Sequence, residues 1–123
     1  MCIFCAISED KKIRRFGYWF AIRDLYPVVK DHTLFISQRH VSNADDLTDE
    51  EWSELFPAIK SLFEGRDFNL GINRGSSAGQ TIFHVHVHVF PRVQGDQSDP
   101  RGGVRNFKTP LIDWKGLNEK TSR

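Results

Sequence analysis

A chain of 123 residues, 39% hydrophobic and carrying ten phenylalanines, supports one compact domain with an ordinary core and leaves little room for a second. Its net charge of +1 sets up no long-range field for nucleic acid or an anionic membrane, so any phosphate must be held by a local site. No run approaches the roughly 18 apolar residues that span a bilayer.

The opening residues, MCIFC, lack the basic start and apolar run of a secretory signal. Cys2 and Cys5 would close a very short disulfide loop, so a reducing cytoplasm with free thiols is the expectation. The CxxC spacing is half of a zinc site; redox use competes with that reading but lacks the usual helix after the motif.

Residues 18–23 (YWFAIR) and 33–37 (TLFIS) read as strands, rich in aromatic and branched side chains. Between them Pro27 forces an extended residue before it. The main helix follows. Thr48 and Glu51 make a capping box, Leu47 can staple onto Trp52, and Gly65 supplies the stop. Trp52, Leu55, Phe56, Ile59, Leu62 and Phe63 recur at helical spacing on one face, and Pro57 is expected to bend or split the helix. Residues 68–73 form a shorter strand, and residues 81–90 (TIFHVHVHVF) the clearest one. From Gln94 the chain turns polar and glycine-bearing, while Leu111, Ile112 and Trp114 could dock on the domain or a partner subunit. The expected architecture is a single α+β domain over 1–123, with its core over about 2–92 and a loop and tail over 93–123.

His84, His86 and His88 alternate with Val85, Val87 and Val89, so on a strand the imidazoles share one face while the valines and Phe83 fill the core face. A polar surface that happens to use histidine explains the residue type poorly. A single metal held by all three is strained, because a straight strand separates His84 from His88 by about 13 Å. The three therefore divide their labour. A neutral imidazole is both nucleophile and general acid near neutral pH, and attacks phosphorus when nearby donors neutralise the phosphate. Asn73, Gly75, Ser76, Ser77, Gly79, Gln80 and Thr81 form a loop of such donors just ahead of the histidines, unless it is an ordinary polar turn.

Residues 79–92 (GQTIFHVHVHVFPR) resemble the signature of the histidine-triad (HIT) family, and residues 23–40 (RDLYPVVKDHTLFISQRH) resemble its earlier block. The resemblance spans about residues 2–105. It implies a five-stranded antiparallel sheet with one main helix and a shorter one, usually in a homodimer. It implies His86 as the nucleophile forming a nucleotidyl-histidine, with His88 and His32 assisting at the phosphate or leaving group. Asn73, Gln80 and Thr81 match positions that hold phosphate oxygens, and Asp24 matches the ribose-contacting position. Relatives with CIFC-like starts complete a zinc site with the histidines matching His40 and His84, so a structural Zn2+ on Cys2, Cys5, His40 and His84 is implied.

Two departures stand out: Asp31 where many relatives have glycine, and Ser37-Gln38 in place of Pro-Lys. The Pro91-Arg92 pair tilts towards members that hydrolyse dinucleoside polyphosphates. Arg92, Arg101 and Arg105 either clamp distal phosphates or pair with Asp96 and Asp99. The expected activity is release of a nucleoside monophosphate, with AMP first in mind, from dinucleoside polyphosphates or related conjugates. Phosphoramidase action, nucleotidyl transfer and a non-catalytic nucleotide-binding adaptor are the alternatives. Neither a specific nucleic-acid partner nor a membrane is expected.

Overall fold

The computed structural model describes residues 2–105 and divides into two units, Met1–Arg92 and Val93–Arg123. Leu111, Ile112 and Trp114 lie outside the described residues.

The first unit is built on five strands: β1 (Lys12–Arg15), β2 (Trp19–Arg23), β3 (Thr33–Ser37), β4 (Asp67–Ile72) and β5 (His86–Arg92). They form one antiparallel sheet in the order β1-β2-β3-β5-β4. The single α-helix among the described residues, α1 (Asp49–Phe63), connects β3 to β4. The shorter helix is absent from the described residues; 3-10 turns at Glu9–Lys11, Ala44–Asp46 and Ser76–Ala78 stand in this unit instead.

Alternation gives the sheet two different faces. Along β5, Val87, Val89 and Pro91 are buried while His86, His88, Phe90 and Arg92 are half-buried. The valine face joins Trp19, Ala21 and Phe35 to Leu55, Ala58, Ile59 and Phe63 of α1 in the main core. The opposite face carries a smaller core of Phe4, Phe20, Ile22, Leu34 and Ile36, packed by Cys2, Ile7 and Ile82. The N-terminal segment therefore packs on the same side of the sheet as the histidines.

The capping box at the start of α1 is present: Glu51 N–H donates to Thr48 Oγ1 at 3.1 Å, and Thr48 N–H donates to Glu51 Oε1 at 2.8 Å. Glu51 is buried, and its carboxylate also receives Arg39 at 2.8 Å. Pro57 does not split the helix. Both Pro57 and Ser53, whose carbonyl loses its donor, are exposed, so water can serve that oxygen.

Several boundaries differ from the sequence expectation. The buried stripe of α1 is Glu51, Leu55, Ala58, Ile59 and Phe63, leaving Trp52 and Phe56 exposed at its margin. The last strand begins at His86 rather than at residue 81, and Phe83 is exposed instead of filling the core. Residues 81–85 leave the ladder as Val85 turns from β3: its carbonyl still takes the next in-register bond, from Ser37 N–H at 3.2 Å, but its N–H donates to the Val41 carbonyl at 2.7 Å. β1 was not foreseen. Its Lys-Ile-Arg-Arg run is a short basic edge, bent by an irregularity between Lys12 and Arg14, with no apolar stretch to announce it.

Candidate active site

β5 sets the frame. His86 and His88 face the same way, pairing across the sheet with Ile36 and Leu34 of β3, and Gly71 of β4 lies opposite His88. His84, just ahead of the strand, is fully buried. The stretch from His84 to His88 therefore passes from irregular chain into regular sheet, and its two ends meet different neighbours.

At the first end, His84 Nε2 lies 2.7 Å from the Ser37 carbonyl. A carbonyl only accepts, so Nε2 carries the proton and Nδ1 keeps its lone pair. Nδ1 faces Cys2 Sγ at 3.4 Å and Cys5 Sγ at 3.5 Å, while His40 Nδ1 is 3.2 Å from Cys5 Sγ. The four donor atoms lie within 4.8 Å of one another. In a tetrahedral Zn2+ site, neighbouring S and N ligands stand about 3.5 Å apart, so the donor set and spacing fit that ion. The Ser37 carbonyl is the outer partner that metal-bound histidines ordinarily have.

At the other end, His32 Nδ1 accepts the Val28 backbone N–H at 3.2 Å, which puts the proton of the neutral ring on Nε2. That Nε2–H donates to His88 Nδ1 at 2.9 Å. His88 Nε2 then carries a proton that the pair leaves unengaged. Asp24 Oδ2 lies 3.4 Å from His32 Nε2 and 3.9 Å from His88 Nδ1, while Oδ1 accepts Tyr26 N–H at 2.8 Å. Three metal-capable side chains meet here too, but the Val28 N–H holds the His32 tautomer that carries a proton on Nε2, the nitrogen a metal would need. Burial lowers the affinity of both rings for a second proton, against the attraction of Asp24. For His88 the result is a pKa pushed down to about 4, with His86 and His32 adding to the burial effect.

His86 stands between the two ends. Its Nδ1–H donates to the His84 carbonyl at 2.8 Å, leaving the Nε2 lone pair uncommitted. Phe4 meets its ring edge-on at 4.9 Å. A fixed imidazole with an open Nε2, beside a second ring that offers an N–H, is an arrangement for attack on an electrophile with hydrogen bonding to a leaving group.

The loop ahead of the histidines is braced from within. Gly75 and Gly79 have φ of 92° and 93°, flanking the Ser76–Ala78 turn. Gln80 is buried; its Oε1 accepts Gly75 N–H at 2.9 Å and its Nε2 donates to the Ser42 and Ile82 carbonyls, both at 3.1 Å. Both amide hydrogens of Gln80 thus meet backbone carbonyls, and the side chain braces the loop against Ser42. Asn73 and Thr81 are exposed. Arg92 donates to Asn69 Oδ1 at 2.9 Å. In the second unit Arg101 grips Asp99 through two nitrogens at 3.0 and 3.1 Å, the surface-pair arrangement of the two considered.

Sequence reasoning missed Phe4, Phe90, the Val28 N–H and the Ser37 carbonyl. Phe90 had a signal, since continuing the period of two past His88 puts it on the histidine face. The two backbone groups had none.

The family model for the HIT domain matches residues 7–95. The chain belongs to the HIT domain family. Among relatives, it is 38% identical to a bis(5'-nucleosyl)-tetraphosphatase (asymmetrical) of Schizosaccharomyces pombe, over 64% of this chain and 47% of that protein. It is 40% identical to an AP-4-A phosphorylase of Mycobacterium tuberculosis, over 72% of this chain and 50% of that protein. The chain thus spans about half of each of these two relatives. A crystal structure of a Zn-bound histidine triad family protein from Mycobacterium smegmatis superposes with a TM-score of 0.70 and 30% identity, covering 80% of this chain and 79% of that one. The five-stranded antiparallel sheet with one main helix is the HIT fold, and among the described residues of this HIT protein no helix is long and apolar enough to cross a membrane.

Proposed function

We propose that this HIT protein is a nucleotide hydrolase that releases a nucleoside monophosphate, AMP first among candidates, from dinucleoside polyphosphates or related conjugates. The observation that carries the reading is the His86 Nδ1–H bond to the His84 carbonyl, which aims an unprotonated Nε2 into the histidine face. His86 Nε2 attacks the α-phosphorus; a P–N bond forms as the P–O bond to the leaving group breaks. The Nε2–H of His88 hydrogen-bonds to the departing oxygen as charge builds on it, the polyphosphate leaves as its anion, and His32, through its bond to His88 Nδ1, holds that ring in place. Water then attacks the same phosphorus, the P–N bond breaks to return His86 with its Nε2 lone pair, and the proton lost by the water passes to solvent. Asn73, Thr81 and Arg92 are assigned to phosphate oxygens and Asp24 to the ribose. The relatives that act on dinucleoside polyphosphates support this substrate class.

Cys2, Cys5, His40 and His84 are assigned to a structural Zn2+, supported by the donor set and by the Zn-bound neighbour. Bound there, the ion would tie the N-terminal segment to the start of β5, with four protein ligands and no place for substrate water. The reading extends to a cytoplasmic homodimer, for which exposed Trp52, Phe56 and Leu70 offer apolar surface.

The test is release of nucleoside monophosphate from diadenosine tetraphosphate, diadenosine triphosphate and adenosine phosphoramidate by the wild type and by His86→Ala. Turnover by the wild type alone is the expected result; nucleotide binding without turnover by either protein would leave an adaptor. A second reading, transfer to inorganic phosphate, draws on the 40% identity to a phosphorylase. ADP formation from diadenosine tetraphosphate that requires added phosphate would select it.

A further inference from the structure

The hydrogen bond between His32 and His88 fixes a distance but not the plane of either ring. Rotation about the last torsion of His88 would swing Nδ1 off His32 and redirect its outer N–H. Phe90 stands where that rotation would go. It is two residues beyond His88 on the same face of β5, and its ring lies parallel to His88, at 3° and 5.7 Å between centroids. The same ring lies 4.4 Å from His32, tilted by 40°. One aromatic side chain thus contacts both members of the pair.

We propose that Phe90 is a positioning residue for the His32–His88 pair: its flat ring holds the His88 plane, so that Nδ1 meets His32 and the outer N–H faces the substrate, and it keeps water from the pair. The proposal rests on the reading that the His88 Nε2–H hydrogen-bonds to the leaving oxygen. The packing around His88 leaves Phe90 this role. Leu34 of β3 and Gly71 of β4 pair with it across the sheet and carry no charge. The titratable groups turned towards it are His86 on its own strand and His32 and Asp24 from the segment before β3; Arg92 lies further along β5, on Asn69. Burial is the largest cause of the low proton affinity of His88, and the ring stacked on it supplies part of that burial.

The experiment compares wild type, Phe90→Leu and Phe90→Tyr. Leucine keeps apolar bulk without a flat ring; tyrosine keeps the ring. NMR of the His88 Cε1–H from about pH 3 to 8 reads its midpoint, and steady-state kinetics reads nucleoside monophosphate release. In F90L the midpoint should rise by about one pH unit, and kcat should fall about tenfold with KM little changed. F90Y should behave as wild type. An F90L protein with the wild-type midpoint and kcat overturns the proposal, as does an F90Y protein as impaired as F90L. Should F90L fail to fold, Phe90→Met is read on the same two measurements. If the wild type releases no nucleotide at all, the hydrolase reading fails, while the shift of the His88 midpoint still decides what Phe90 does.

Discussion

The two ends of the histidine run use the same side chain for opposite purposes. His84 and His32 are both buried, and each has one ring nitrogen tied to backbone. For His84 that tie is the Ser37 carbonyl, an acceptor, so the other nitrogen presents a lone pair to two thiols. For His32 the tie is the Val28 N–H, a donor, so the other nitrogen presents a proton to His88. The polarity of one backbone group decides whether the other nitrogen offers a lone pair or a proton. His86 follows the first pattern, but its free nitrogen is not among the donor atoms grouped with the thiols.

This contrast is tested most severely at His86. His86→Ala should lower nucleoside monophosphate release by at least about a thousandfold while leaving the melting temperature within about 2 °C, since its ring is half-buried. At the thiol end the expectation is inverted. His84→Ala, or stripping metal with a chelator, should lower the melting temperature by roughly 10 °C or more and reduce bound zinc by elemental analysis. Retention of full zinc by His84→Ala would remove that end of the comparison.

The His32–His88 end should show itself in acid. The folded chain holds His88 at about 4 against an ordinary 6.5, so between those values the unfolded chain takes up a proton the folded one refuses. Stability should therefore fall as pH drops from about 6.5 to 4, by on the order of 2–3 kcal/mol, and be flat in this respect above 6.5. Urea unfolding at stepped pH reads this, and His88→Gln should flatten the slope. The smallest effect concerns Asp31, which has a left-handed φ of 67° immediately before His32. Asp31→Gly should raise stability by about 0.5 kcal/mol, because the backbone strain is relieved and the Arg66 contact it gives up, at 3.5 Å, is exposed.

Much of this was legible in the chain. β3 falls where the aromatic and branched residues put it, and Thr48 with Glu51 marks the helix start as capping chemistry requires. The alternation of histidine and valine is a backbone period and survives folding from His86 onward. The expectation overran at residues 81–85 because Thr81, Ile82, Phe83 and Val85 have strand composition, yet the Val85 N–H is drawn aside to the Val41 carbonyl. On α1, spacing alone admits Trp52 and Phe56 to the apolar stripe, while packing against a flat sheet buries a narrower one. At the site, the side chains could be named from the sequence. The tautomers could not, since they depend on a peptide N–H and a carbonyl that every residue carries.

Cys2 and His84 stand 82 positions apart, and Cys5 and His84 stand 79. On the ribosome, at about 5–20 residues per second, the two thiols wait roughly 4–16 seconds for the imidazole that completes their set. During that interval they are bare thiols on a nascent chain, open to oxidants and to stray metal. Three of the four donor residues, Cys2, Cys5 and His40, are thus made well before His84 brings them together.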